Sequence, residues 1–432
     1  MLESLSKAFQ IPELKRRIQF NLMMFAVFVL GAHIPVPGVN HDKLEQLFGS
    51  GGLLGLVDIF SGGALRRMTV FAMGITPYIN ASIIMQMMTL AIPQLEALSK
   101  EGDSGRKKIA QYTRHLTVVL AAVQALGFSM TFKEATTGWI GVTQMIVIMT
   151  AGTCFLLWIG EQITDKGIGN GVSIVIFTGI MTSLPFQAGL VWTSVEKGFV
   201  SPFGLALFVA LFVGTIYGIV LITQGERRIP IQHMKRVVGM RQTQASSSFL
   251  PIKVNTAGVM PIIFAISILL FPGQMLGMFP RTPTGVLGWM QEKVQLLSPG
   301  NHWLSLVVYA GMIVLFTYFY TAVVMNVQDM ADNLKKYGNL IPGIRPGRPT
   351  FDYLDRVVSR VTLAGAIFLA AVALVQYVAP VLTRVSQSNF SLIGGTSLLI
   401  VVGVAIETMQ AIEAQLLMRN YEGFIKQSGI TP

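Results

Sequence analysis

The sequence predicts an all-α protein that crosses a membrane many times, because three observations agree. Of its 432 residues, 52% are hydrophobic and only 12% are charged, whereas soluble globular proteins carry about 25% charged residues. The mean hydropathy is +0.60 over the whole chain, which indicates many spans and not a single anchor. Ten apolar windows occur along the chain, each of a length that crosses a bilayer core as a helix.

The ten windows follow one another along the whole chain. They cover approximately residues 20–38, 72–92, 115–132, 141–160, 170–188, 203–223, 256–277, 303–325, 361–381 and 392–410. The first follows a segment of mixed charge and lacks a small-residue cleavage site, so we expect a retained span and not a signal peptide. Several windows contain glycine or proline, which bundled membrane helices tolerate because neighbouring helices satisfy the freed backbone groups.

The positions of lysine and arginine predict the orientation. If the N terminus lies in the cytoplasm, 24 of the 32 lysines and arginines fall in cytoplasmic segments. This bias matches the positive-inside rule and predicts that both termini are cytoplasmic. Arg66 and Arg67, which follow Gly62 and Gly63 directly before the second window, are among the residues left on the outer side.

Two basic loops, at about residues 223–255 and 326–360, are unusually long for cytoplasmic connections. Such loops are usually functional or disordered. The second contains IPGIRPGRPTFDYLDR, in which prolines and glycines resist regular structure and place Arg345 on a stiff, exposed turn. Composition alone is equally compatible with two solvated loops that only connect membrane spans and fix their orientation.

Ten spans divide into five and five near residues 184–202, and an odd number per half makes the two halves inverted. Inverted repeats are a known membrane architecture with a site at the interface of the halves. We therefore expect an N-terminal half at residues 1–190 and a C-terminal half at residues 191–432. This expectation depends on the count of spans, since no clear internal sequence identity supports it.

Motifs for catalysis, nucleotides and metals are missing from the sequence. There is no P-loop, no HExxH and no cluster of histidine, cysteine and carboxylates, and the single Cys154 excludes an internal disulfide. The glycine cluster GIGNGVS follows an apolar helix, which indicates the start of a membrane helix and not a nucleotide site. We therefore expect no enzyme activity and no cofactor or metal.

An ion- or proton-coupled transporter is also disfavoured, because such proteins commonly place ionisable residues near the bilayer midplane. Here His33 lies near the outer end of the first window and Glu407 near the inner end of the tenth. The alternatives to be compared are thus a passive polypeptide channel, a solute transporter and a membrane-embedded enzyme. The long basic loops favour the channel.

Specific motifs occur in a fixed order along nearly the whole chain. They are IPVPG at 34–38, FSGGALRR at 60–67, GITPYINASII at 74–84, EGDSGRKKIAQYTR at 101–114, GEQITDKGIGNGVSI at 160–174, GERRIP at 225–230, PIKVNTAGVMPIIFA at 251–265, MADNLKKYGNLIPGIRPG at 330–347 and GGTSLLIVVGV at 394–404. In this order and spacing the sequence resembles the SecY family of bacterial protein-conducting channels.

The resemblance implies ten helices in two inverted, pseudo-symmetric halves around a central hourglass pore. The waist of that pore is a ring of aliphatic side chains, and the matching positions are Ile75, Ile79, Val172, Ile176, Ile263 and Ile400. Water is excluded from a narrow apolar ring, which therefore resists the passage of ions without any bonds that close it. The i, i+4 spacing of Ile75 with Ile79, and of Val172 with Ile176, places the members of each pair on one helix face, although such pairs are more often ordinary packing.

The resemblance also implies a short plug helix at about residues 58–70 in the outer funnel. Gly62 and Gly63 allow a tight turn, Leu65 and Met68 can rest against the ring, and Arg66 and Arg67 need water, which the funnel supplies. A lateral gate between spans two and three and spans seven and eight is implied too. Its matching polar residues are Gln86, Asn170 and Ser267.

In this family the basic loops dock the SecA motor or the ribosome, which implies roles for Arg227, Arg228, Lys235, Arg236, Arg241 and Arg345. Arginine suits both partners because it pairs bidentately with carboxylates and phosphates. The implied partners also include SecE and SecG, SecD/SecF, YidC, signal sequences and lipids. The implied function is a passive channel in the bacterial inner membrane. It would pass unfolded preproteins and release signal sequences and transmembrane segments laterally, driven by SecA or the translating ribosome.

Overall fold

The computed structural model describes residue 6 and residues 8–39, 61–132, 138–198, 201–233, 237–238, 241–242, 247–276, 279, 285–297, 302–383 and 395–427. Helices dominate these residues, and each of the ten apolar windows overlaps one long helix. The helices are α1 Pro12–Gly31, α2 Thr76–Ala91, α3 Pro93–Lys100, α4 Asp103–Thr131, α5 Gly138–Lys166, α6 Gly171–Glu196, α7 Pro202–Gln224, α8 Met260–Leu276, α9 Val286–Leu297, α10 Trp303–Val324, α11 Val327–Lys336, α12 Arg348–Thr383 and α13 Thr396–Gln427.

The prediction of a polytopic helical membrane protein is confirmed, while the count of ten spans stays a prediction. In the described part of the chain, six helical segments are long and apolar enough to cross a membrane, or seven if the bent pair α2–α3 is one span. Two further helices carry charged ends: α1 begins with PELKRR and α4 with DSGRKK. The apolar core of α8 is too short for the same criterion.

A sharp break separates α2 from α3. The two helices are bent by 100° at Ile92, whose backbone is extended with φ −108° and ψ 112°. Pro93 causes this break, because proline disfavours a helical conformation in the residue before it and fits well in the first turn of the next helix. The chain therefore changes direction before α4 begins.

Within the bundle, helices that are near in sequence pack together. In the first part of the chain α2 packs against α4, α4 against α5, and α5 and α6 against α1. In the second part α8 packs against α10, α10 against α12, and α7 against α12 and α13. Two seams join these groups: α8 contacts α2 and α4, and α13 contacts α6.

The two long loops carry a small antiparallel sheet, which the sequence analysis did not predict. Its strands are β1 Glu226–His233, β4 Ser247–Lys253 and β5 Asn339–Leu340, in the order β4-β1-β5, and β2 Val237–Val238 pairs separately with β3 Arg241–Gln242. β1 and β4 pair over seven residues, from Glu226 opposite Lys253 to Gln232 opposite Ser247. β5 joins the two loops because Gln232 pairs with Leu340.

This sheet has its own hydrophobic core, formed with α11 and α12. We call the sheet, the turn at residues 341–347, α11 and the start of α12 the platform. Its buried apolar residues are Ile229, Ile231, Ile252, Ala331, Leu334, Ile341, Leu354 and Val358. The two loops are thus one folded unit with a continuous core and are more than solvated connections.

Candidate functional site

The plug segment, residues 61–75, runs between α1 and α2 through a series of tight turns. Gly62 and Gly63 have φ of 71° and 80°, a conformation that glycine adopts without strain. The Arg67 N–H donates to the Gly63 carbonyl at 3.4 Å, and the Thr69 N–H donates to the Ala64 carbonyl at 2.9 Å. Residues 61–69 therefore form turns and not the regular plug helix that was predicted, and residues 58–60 lie outside the described part of the chain.

The plug segment has a buried side. Ala64, Leu65 and Met68 are completely buried and belong to the same apolar core as the helices around them. Met68 has a φ of 43°, which is rare for a residue with a long side chain. Packing around the completely buried Met68 side chain holds this strained backbone in place.

All six predicted ring residues lie in that same core. Ile75, Ile79, Ile176, Ile263 and Ile400 are buried, and Val172 packs against them while partly exposed. They come from four helical segments: the start of α2, α6, α8 and α13. The Ile79 N–H donates to the Ile75 carbonyl at 3.1 Å, which keeps that pair in helical register. Their role as a pore ring stays a prediction.

Three glycines bring the plug segment close to its neighbours. Side chains at these positions would collide with the plug segment: at Gly31 with the ring of Phe71, and at Gly152 with the Val70 carbonyl. A side chain at Gly62 would come within 2.7 Å of the Gly179 carbonyl on α6. The plug segment thus sits in a seat formed by α1, α5 and α6.

An aromatic stack fixes the end of the plug segment next to α2. The Phe71 ring stacks on Phe28 of α1 at 5.8 Å and on Phe155 of α5 at 6.1 Å, and Phe155 stacks on Trp158 at 5.5 Å between centroids. Aromatic pairs in this distance range attract one another beyond their buried area.

Both plug arginines are exposed, and each has a specific neighbour. The guanidinium of Arg66 lies 5.4 Å from the centre of the Phe186 ring on α6, within the range of a cation–π contact. Arg67 Nη1 lies 2.6 Å from Nε2 of His33, directly after α1. The sequence reading missed His33 and Phe186, because no local pattern links residues that are 34 and 120 positions away.

The predicted gate residues are divided between two places. Gln86 on α2 and Ser267 on α8 belong to helices that contact each other across one seam. Gln86 donates to Ser82 on its own helix at 3.3 Å, while its buried carbonyl oxygen has no partner in the part of the chain that the structure describes. Asn170 caps α6, where its side-chain oxygen accepts from Val172 N–H at 3.1 Å and Ser173 N–H at 3.4 Å.

Three of the predicted docking arginines are exposed on the platform. Arg227 and Arg228 lie on β1, and Arg228 donates to Glu226 at 2.6 Å. Arg345 lies on a turn between Gly343 and Gly347, whose φ are 80° and 102°. Lys235 and Arg236 lie outside the described residues, and of Arg241 only the position in β3 is described.

Comparison with known proteins decides the family. The family model for SecY matches residues 69–409. A protein translocase subunit SecY from Streptomyces galbus is 43% identical over 448 residues, which cover 99% of this chain and 100% of that protein. The SecY of Pseudomonas aeruginosa is 44% identical over 430 residues, with coverages of 97% and 95%.

The chain belongs to the SecY family. It is therefore a protein translocase subunit and a multi-pass membrane protein. Solved structures share the SecY fold: one of a protein-conducting channel has a TM-score of 0.64 at 17% identity, covering 95% of this chain and 96% of that one. The channel in a canine ribosome–channel complex has a TM-score of 0.61 at 16% identity, with the same coverages.

Proposed function

We propose that this chain is the central pore of the translocase, a passive channel that passes unfolded preproteins across the membrane. One observation carries the proposal. The plug segment buries Leu65 and Met68 in the same core as the six predicted ring residues, while Arg66 and Arg67 on its other side are exposed. An apolar stopper against an apolar constriction seals a resting channel, because such a constriction excludes water and ions.

The two groups of helices, which divide after α6 at Glu196 and not at residue 190 as predicted, would act as two halves that separate along the seam between α8 and the pair α2 and α4. Signal sequences and transmembrane segments would leave through this lateral gate into lipid. The seam suits this role because buried polar atoms on its helices have no hydrogen-bond partner among the described residues: Asn80 and Gln86 on α2 and Gln124 on α4. Passing polypeptide can satisfy such atoms, which cost free energy while unpaired.

The platform would face the cytoplasm of a bacterial cell, with both chain termini on the same side, and would dock the SecA motor or the ribosome. The basic bias of these segments supports this orientation. A relative by fold, the canine channel, was solved in a complex with the ribosome. SecE and SecG would complete the channel, with SecD/SecF and YidC as further partners. The energy for transport would come from SecA or the translating ribosome, since the chain would carry out no catalytic step.

Reconstitution tests the proposed function directly. Vesicles containing the chain with SecE should protect a preprotein from added protease only when SecA and ATP are present. Signal-sequence dependence should accompany this protection. Uptake of a labelled solute without any protected preprotein would instead identify a small-molecule transporter and overturn the proposal.

Gln86→Leu should close the lateral gate more firmly. The substitution removes a buried carbonyl oxygen that has no partner among the described residues and that an open gate would expose to a passing chain. Removal of this unpaired atom should stabilise the closed gate by about 1 kcal/mol. Transport of a preprotein with a weakened signal sequence should therefore fall about fivefold. Transport of the same preprotein by Ser82→Ala should rise, because Gln86 then loses its bond to Ser82 as well. Equal transport by wild type and both variants would contradict a gate role for Gln86.

A further inference from the structure

A short turn, residues 254–259, connects the platform to α8, and we call it the joint. Strand β4 ends at Lys253 and α8 begins at Met260. Before the joint lies the sheet that carries Arg227 and Arg228. After it, α8 contacts α2 and α4 across the seam that we call the gate seam. The joint therefore links the proposed docking surface directly to a helix of the proposed lateral gate.

The joint packs against three helices of the second group. The Val254 N–H donates to the carbonyl of Gly225, directly after α7, at 2.9 Å. On α12, a Cβ at Gly365 would lie 2.5 Å from the Val254 carbonyl oxygen. On α13, a Cβ at Gly403 would lie 2.8 Å from Cγ1 of Val259. The first residue of the joint therefore packs closely on α12 and its last residue on α13.

Lys253 ties the start of the joint to α13. Its Nζ donates to Oε1 of Gln410 at 3.2 Å, and its carbonyl accepts from the Oγ1 of Thr256 at 2.8 Å. Glu407 lies three residues before Gln410, so the two side chains are neighbours on the surface of α13. A Cβ at Gly258 would lie 3.3 Å from Oε1 of Glu407, and the charge of Lys253 attracts this carboxylate. One side of α13 thus contacts the joint at its beginning and near its end.

The bond to α13 gives the platform an attachment to a helix other than α12. α12 runs from the platform into the bundle as one helix, Arg348–Thr383. A single helix fixes the distance between the two parts that it joins, but it permits rotation about its own axis. A second attachment on another helix prevents this rotation, and closely packed parts then move as rigid bodies. With Lys253 bound to Gln410, the platform and the second group of helices are therefore expected to move as one body.

We propose that Lys253 is a positioning residue that fixes the platform to α13, so that a motor docked on the platform moves α8 and opens the gate seam. The proposal rests on the proposed docking and gate roles. α13 contacts α6 across the other seam, where the two groups of helices would stay together during this movement. Without the bond to Gln410 the platform would rotate by itself, and part of the displacement that the motor produces would not reach α8.

Separate measurements of docking and transport test this role of Lys253. The channel is purified with its copurifying subunits and reconstituted into vesicles, and protease protection of a preprotein is measured with SecA and ATP. Lys253→Met should bind SecA as tightly as the wild type but protect about fivefold less preprotein, the factor that corresponds to one lost hydrogen bond at an exposed site. Gln410→Met should give the same result, whereas Lys253→Arg keeps a donor and should transport like the wild type.

A chemical crosslink distinguishes positioning from a merely structural role. In a chain with Cys154→Ala, the pair Lys253→Cys and Gln410→Cys should transport about fivefold less than Cys154→Ala alone. A short bismaleimide that joins the two cysteines replaces the lost attachment, so transport should return to the level of Cys154→Ala. A contact that only stabilises the fold would not give this recovery in a channel that is already folded.

Four outcomes would overturn the proposal. Unchanged transport after crosslinking would show that the attachment is not needed, and lower transport would show that the joint must bend. Weakened SecA binding by Lys253→Met would place Lys253 in the docking surface. Wild-type transport by both Lys253→Met and Gln410→Met would show that the joint alone is wrong, whereas a wild type without SecA-dependent protection would show that the proposed function is wrong as well.

Discussion

A channel that lacks residues 62–69 should insert and assemble normally but conduct ions at rest. The deletion removes Leu65 and Met68, which are completely buried in the same apolar core as the predicted ring, and burial of each such side chain stabilises the seated plug segment by about 1.5–3 kcal/mol. The resting conductance measured in planar bilayers should therefore rise by roughly tenfold or more. The aliphatic ring itself remains and still resists ions, so the leak should stay well below that of a channel engaged with a preprotein.

If the contacts with α1, α5 and α6 hold the plug segment in place, a substitution in one of these helices should give the same leak. Gly152→Leu on α5 places a side chain against the Val70 carbonyl and should displace the plug segment without changing its sequence. Gly214→Leu on α7 is the matched control, because among the described residues a Cβ at this position meets nothing outside its own helix within 4 Å. A resting conductance equal to that of the wild type in both the deletion and Gly152→Leu would show that this segment does not seal the channel.

The sequence predicted the membrane helices well, because a bilayer demands long apolar runs whatever the tertiary packing. It missed the platform sheet, although a signal was present. Ile229 and Ile231 are two residues apart, the period of a strand, but a proline such as Pro230 between them disfavours a central strand. The structure keeps Pro230 within β1, opposite Phe249 of β4.

The contacts of the plug segment could not be predicted in the same way. The sequence explained Arg66 and Arg67 by a need for water, which stays a prediction, and it could not identify their neighbours. Phe186 is far away in the sequence and its ring is an ordinary apolar feature of α6. The choice of two arginines has a physical reason in the structure: one stacks on an aromatic ring and the other donates to an imidazole, two contacts for which the planar guanidinium is suited.

Arg345→Glu should abolish SecA-driven transport while leaving the fold intact. The side chain of Arg345 is exposed, whereas its backbone is held: its carbonyl accepts from the Oγ1 of Thr350 at 2.8 Å, and the neighbouring Ile341 is part of the platform core. A charge reversal at this turn therefore changes the docking surface and not its support. Where a partner carboxylate meets Arg345, the reversal should cost ~2 kcal/mol or more and reduce ATP-dependent protease protection of a preprotein at least about 30-fold.

Lys197→Glu provides the matched control, because it makes the same change of charge at an exposed position directly after α6, away from the platform. Its transport should equal that of the wild type, and both variants should unfold at the wild-type temperature. SecA binding to membranes that contain Arg345→Glu should weaken in parallel with transport, since the turn between Gly343 and Gly347 presents the guanidinium as part of a rigid surface. Wild-type transport by Arg345→Glu would place the motor elsewhere on the platform, on β1 or on the end of α11.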